Sequence, residues 1–223
     1  MKLPLLYQKT LDRNVISLAE LRKLETGIPA AHLGNHVKIL LRRGYYGLIK
    51  RGLYYVIPAG KKPENVAVDK LLIGAKAAVD AVLTYRSALE FHGLSRSLQS
   101  EVVFLSGKNL PKFSFREATF RRTAPPTRLN QQGNVLLGVE RAMHLSERIR
   151  ITDRERTLVD AIHRPDLSGS LEDIIHAIQA CPSIDPKAAC RYALALGYTT
   201  LLGKIGWLLE HYGQKAGVKP DHL

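Results

Sequence analysis

The feature that most restricts how this chain can fold lies in residues 29–58, where a two-faced helical pattern runs through one glycine into a two-stranded apolar pattern. "PAAHLGNHVKILLRRG" opens at Pro29, which suits a first helical position, and closes at Gly44, which accepts the left-handed conformation of a helix stop. At about 100° per residue, Ala30, Leu33, Val37, Leu40 and Leu41 gather on one side of the predicted helix, Pro29 to Arg43. Ala31, His32, Asn35, Lys38, Ile39 and Arg42 face the other way, with His36 and Arg43 at the margins. "RRGYYGLIKRGLYYVIP", residues 42–58, then sets two β-prone runs, Tyr45–Ile49 and Leu53–Ile57, about the corner Lys50-Arg51-Gly52, which suits a tight reversal.

Upstream, Leu3–Leu11 predicts a short helix with Leu5, Leu6 and Leu11 on one side. "SLAE", Ser17–Glu20, has the S-x-x-E spacing of a reciprocal helix cap and predicts a second short helix to about Leu24, broken by Gly27. Two short helices across a glycine turn followed by a hairpin are the order of a winged helix-turn-helix, expected over residues 1–62. The proline-rich "PAGKKPEN", residues 58–65, reads as a linker.

Residues 63–223 predict a larger α+β domain, a small sheet flanked by helices. Val66–Ala78 reads as a helix, and Thr84 as the cap of "YRSALEFH". "EVVFLSG", "FSFREATFRR", "NVLLGV" and "RIRIT" read as strands. Asp153, Ser170 with Asp173, and Asp185-Pro186 each open a helix, and Gly197 closes the third of these. A last helix runs from Thr199 to Tyr212, striped by Leu201, Leu202, Ile205, Leu208 and Leu209.

Charge is placed unevenly. Of the formal net +13, residues 1–62 hold 12 Lys/Arg against three acidic residues (12 − 3 = +9), whereas the rest holds 21 − 17 = +4. That asymmetry is expected of a nucleic-acid module joined to a nearly neutral one, and it disfavours a membrane surface as the polyanion. The most apolar stretch, Val66–Leu83, is interrupted by Asp69, Lys70, Lys76 and Asp80 and does not suit a bilayer span. "MKLPLLYQK" lacks the features of a signal peptide, and the two cysteines, Cys181 and Cys190, are too few to staple a fold, so a reducing cytoplasm is expected.

Outward-facing histidine, asparagine, lysine and arginine supply the donors that phosphates and base edges require. The candidate DNA contacts are His32, Asn35, His36, Lys38, Arg42 and Arg43 on the helix and Lys50 and Arg51 at the hairpin tip. His32 and His36 lack the glutamate of H-E-x-x-H, so no metal and no cofactor is expected. The carboxylates in "TDRERTLVD" have structural roles available to them. Asp153 suits a cap, Glu155 a first-turn position, and Asp160 a pairing with Arg156 one turn earlier. No catalytic constellation is therefore expected.

"TYRSALEFHGL" (84–94), "RIRITDRERTLVDAIHRPDLSG" (148–169) and "LLGKIGWLLEHYG" (201–213), in this order behind such an N-terminal region, resemble the AbiEi antitoxins of type IV toxin–antitoxin and phage-defence systems. The resemblance implies a repressor binding repeats in its own promoter, and a C-terminal domain that counteracts a nucleotidyltransferase-like toxin. It leaves direct contact with the toxin, and self-association on DNA, open. The competing readings are a stand-alone winged-helix regulator with an effector-binding C-terminal domain, a DNA-processing enzyme, and an RNA-binding module. The last suits the helix-plus-hairpin order less, because the A-form major groove is too narrow for it.

Overall fold

Residues 3–217, described by a computed structural model, form a mixed α+β fold of two sheets and three main apolar clusters. The last residues of the expected second domain, 218–223, lie outside the described residues. In the N-terminal third, α1 (Leu5–Gln8) is a single turn, so the helical pattern does not reach Leu11. Leu6 and Tyr7 are buried instead, whereas Leu5 and Leu11 stay exposed, which corrects the expected apolar side. Tyr7 donates its hydroxyl to the Ile57 carbonyl at 2.7 Å.

β1 (Val15–Ser17) runs directly into α2 (Leu18–Leu21). The Ser17 hydroxyl accepts from the Glu20 amide at 3.2 Å while the Glu20 carboxylate accepts from the Ser17 amide at 2.8 Å, so the expected reciprocal cap forms. After it come α3 (Ala30–Arg42), β2 (Tyr46–Lys50) and β3 (Leu53–Val56), and the strands pair antiparallel in the order β1-β3-β2. All four residues of β3 are buried, because both faces of this sheet are covered. Ile16, Tyr46, Tyr54 and Val56 pack with α1, α2 and α3, while Val15, Ile49, Leu53, Tyr55 and Ile57 face the opposite way.

The second sheet is built from β4 (Val82–Leu83), β5 (Glu101–Leu105), β6 (Phe113–Phe115), β7 (Ala118–Thr123), β8 (Val139–His144) and β9 (Glu147–Thr152). Its order is β6-β7-β5-β4-β9-β8, with parallel and antiparallel pairs, and it is larger than the small sheet the sequence predicts. "FSFREATFRR" is a hairpin of two strands that turns at Arg116 (φ 52°), and "NVLLGV" contributes only Val139 to a strand. Its helices are α4 (Lys70–Lys76), α5 (Arg86–Phe91), α6 (Thr127–Gln131), α7 (Arg154–His163), α8 (Leu171–Ala180), α9 (Pro186–Leu196) and α10 (Thr199–Tyr212). α4 starts later than expected because the Asp69 side chain takes the Leu72 amide at 2.7 Å. Thr84 does not cap α5: it is buried, and Tyr85 holds the cap position at φ 52°. The caps at Asp153, Ser170 and Asp185 and the left-handed stop at Gly197 form where expected. α5 to α10 enclose the third cluster, and on the exposed side of α10 Trp207 stacks on His211 with centroids 4.4 Å apart.

Besides a cluster on either side of the linker, a third spans it. The outward face of the first sheet, Leu53, Tyr55 and Ile57 among it, packs in one cluster with Leu72 of α4 and with Leu83, Phe104, Phe120 and Ile151 of the second sheet. A charged network crosses the same junction. Glu147 of β9, 1% exposed, accepts from the Asn14 amide at 2.9 Å and pairs with Lys76 of α4. Lys76 also reaches the Val15 carbonyl at 2.7 Å and Glu20 at 2.8 Å. Among the described residues, no helix is long and apolar enough to cross a membrane.

Candidate nucleic-acid interface

α3 owes its orientation to the apolar stripe. Leu33, Val37 and Leu40 are buried against the first sheet, and this leaves His32, Asn35, His36, Lys38, Arg42 and Arg43 exposed together. Ala30, expected on the buried side, is exposed at the first position of α3, before the buried stripe begins at Leu33. Among the described residues, none of these six polar side chains has an ion pair or a side-chain hydrogen bond within the protein, so their donors remain available. Ile39, also exposed, adds an apolar side chain among them.

The hairpin tip is arranged differently. Ser17 pairs with Leu53 in the register of β1 and β3, and the Gly52 carbonyl accepts from the Leu18 amide at 2.8 Å. The Lys50-Arg51-Gly52 turn therefore closes level with the start of α2 and does not project beyond the sheet. Gly52 takes φ 80°, the left-handed geometry that the turn requires. Arg51 is exposed, but the Lys50 ammonium lies 4.6 Å from the Phe113 ring centroid of β6. Burial there pushes the Lys50 ammonium below the ordinary lysine value. Of the two tip cations, only Arg51 is presented freely.

The carboxylates of "TDRERTLVD" are engaged structurally. Asp153 accepts from the Arg156 amide at 2.7 Å, and Glu155 accepts from the Asp185 amide at 3.0 Å. Asp160 meets Arg156 at 3.4 Å and accepts from the Tyr192 hydroxyl at 2.7 Å, with Arg156 and Asp160 both buried. Arg156 also donates to the Val135 and Leu137 carbonyls. Sequence reading anticipated the Arg156–Asp160 pair but not its depth, which long-range packing decides. It also passed over a second basic surface, Arg141, Arg148 and Arg150 on β8 and β9. The signal was present in "RIRIT", where arginines two apart in a strand share a face. Among the described residues, no three histidine, cysteine or acidic side chains converge as metal ligands.

No family model and no curated protein matches the chain. What the fold defines is a mixed α+β class with two sheets. Within it, the chain is similar to the RV2827C protein from Mycobacterium tuberculosis, with a TM-score of 0.52 at 15% sequence identity, over 98% of this chain and 78% of that one. At that identity the likeness concerns fold alone.

Proposed function

We propose that this protein is a sequence-specific DNA-binding regulator, that residues 1–62 act as a winged helix-turn-helix, and that α3 enters the major groove. The observation that carries the reading is the two-faced α3, apolar side buried and His32, Asn35, His36, Lys38, Arg42 and Arg43 unpaired on the other. The strand order β1-β3-β2, with β1 placed between α1 and α2, supports it. Arg51, exposed at the hairpin tip, is a further phosphate contact, and Lys50 is a weaker one because Phe113 holds it.

Within the same proposal, the chain is an AbiEi-like antitoxin that represses its own operon and opposes a nucleotidyltransferase-like toxin, without chemistry of its own. Within the blocks that carry that resemblance, Leu89, Leu94, Leu158, Ile205 and Leu208 all belong to one apolar cluster, so these five residues serve packing, and we assign them no catalytic role.

The test is fluorescence anisotropy on the chain's own upstream region against random duplex, over a salt series. Arg42→Ala should weaken both duplexes alike and lower the salt slope by about one unit. Asn35→Ala should cost about 1–3 kcal/mol on the operator and little on random DNA. Equal losses on both duplexes would refute base reading by Asn35. The adjacent gene tests the antitoxin half: a nucleotidyltransferase-like product whose growth arrest is relieved by co-expression of this chain supports it, and absence of such a gene or of rescue would refute it.

A further inference from the structure

A groove of about 470 Å³ lies between α2 and the β8–β9 hairpin, floored by the end of α4 and the segment after it. Its hairpin wall breaks a rule of strand pairing. Arg141 and Arg150 stand directly opposite each other on adjacent antiparallel strands, and Arg148 shares their face two residues from Arg150. Like charges directly opposite on a sheet are destabilising, so an anion bound between them would be stabilising. The protein supplies little counter-charge. Among the described residues, Lys23, Arg141 and Arg148 make no ion pair and no side-chain hydrogen bond, and Arg150 donates only to the Val79 carbonyl.

The other charges at the groove balance among themselves. Among the charges that line the groove, Lys76 and Glu20 pair at 2.8 Å, one cation with one anion. Four cations, Lys23, Arg141, Arg148 and Arg150, are left facing a cavity without compensation. The floor is apolar, with Ala75, Ala78 and the exposed Val79. A volume inside the usual range for small-ligand pockets, a cationic wall and an apolar floor match a polyphosphate joined to a flat organic group.

We propose that this groove is a binding site for a nucleoside di- or triphosphate, with Lys23, Arg141 and Arg148 on the phosphates and the base over Ala78 and Val79. The site is distinct from the α3 surface and does not depend on its assignment. A duplex is too wide to enter a cavity of this size and would meet only its rim.

Calorimetric titration and thermal melting of the full chain at low salt test the site, with ATP, GTP, pyrophosphate and uncharged adenosine as probes. A nucleoside triphosphate should bind saturably and raise the melting temperature, pyrophosphate should bind more weakly, and adenosine should not bind. Arg148→Gln should weaken the triphosphate about tenfold, the loss of one charge-assisted contact. Arg141→Gln should melt higher than the parent without ligand, because the cross-strand repulsion is gone, yet lose most of the ligand-induced rise. Arg96→Gln, an exposed charge outside the groove, should leave binding unchanged. The proposal is overturned if neither triphosphate binds saturably, or if Arg141→Gln and Arg148→Gln bind like the parent. It is equally overturned if the two variants weaken only a short random duplex, which would assign the arginines to a nucleic-acid backbone.

Discussion

Gly34 stands in the interior of α3, exposed, where an added Cβ would meet nothing within 4 Å. A glycine inside a helix costs about 0.5–1 kcal/mol relative to alanine, and nothing within the protein requires it here. The proposed DNA reading gives bare backbone a use here, since a duplex docked on α3 would approach the helix between Ala31 and Lys38. Gly34→Ala is expected to raise stability by about 0.5–1 kcal/mol in urea unfolding. It should at the same time weaken operator binding in the anisotropy assay; unchanged binding would remove Gly34 from the interface. Lys50 shows the limit of sequence reading at this scale. Its charge and its place in the turn were legible, but the aromatic ring that draws it back, Phe113, belongs to a strand of the other sheet.

Helix ends were the most legible elements, because a cap is a local arrangement of four residues. Ser17–Glu20 and Ser170–Asp173 both close reciprocally as their spacing predicts. Short strands were not legible. β1 has three residues and β4 two, too few for alternation to register, and each is defined by a partner distant in the chain. The α2 cap also carries a pH dependence. Burial pushes the Glu20 carboxyl up, but the charge and hydrogen bond of Lys76, with those from Ser17, outweigh it and hold the group below its ordinary value of 4.5. A depressed folded-state value contributes stability above the ordinary value, and that stability is lost as pH falls through the folded one. The parent's margin over Glu20→Gln in denaturant unfolding should therefore be full above pH 4.5 and disappear in stronger acid. A margin independent of pH would show that the charge of Glu20 contributes nothing.

At the scale of the molecule, the composition break at residues 58–65 and the charge asymmetry marked a boundary in the chain, but not in the packing. The first sheet is apolar on both faces, and its second face is completed only by α4 and the larger sheet. The sequence showed the clue in "LYYVI", a continuous apolar run where a half-solvated strand would alternate. An isolated fragment of residues 1–62 would expose Val15, Ile49, Leu53, Tyr55 and Ile57, and calorimetry of the full chain should give one cooperative transition. Glu147→Ala, which leaves Lys76 with Glu20 alone and the Asn14 amide without its acceptor, should cost about 1–3 kcal/mol and lower that single transition as a whole. Two separated transitions in the parent would contradict the shared layer. The stacked indole of α10 offers a way to watch this without labels. Trp207 is the chain's one tryptophan, whereas Tyr7, Tyr45, Tyr46 and Tyr54 crowd the opposite end of the sequence. Emission from the indole follows the C-terminal helices alone, whereas near-ultraviolet tyrosine dichroism sums over the N-terminal layer and Tyr85, Tyr192, Tyr198 and Tyr212, so the two signals must fall together if the junction melts as one unit.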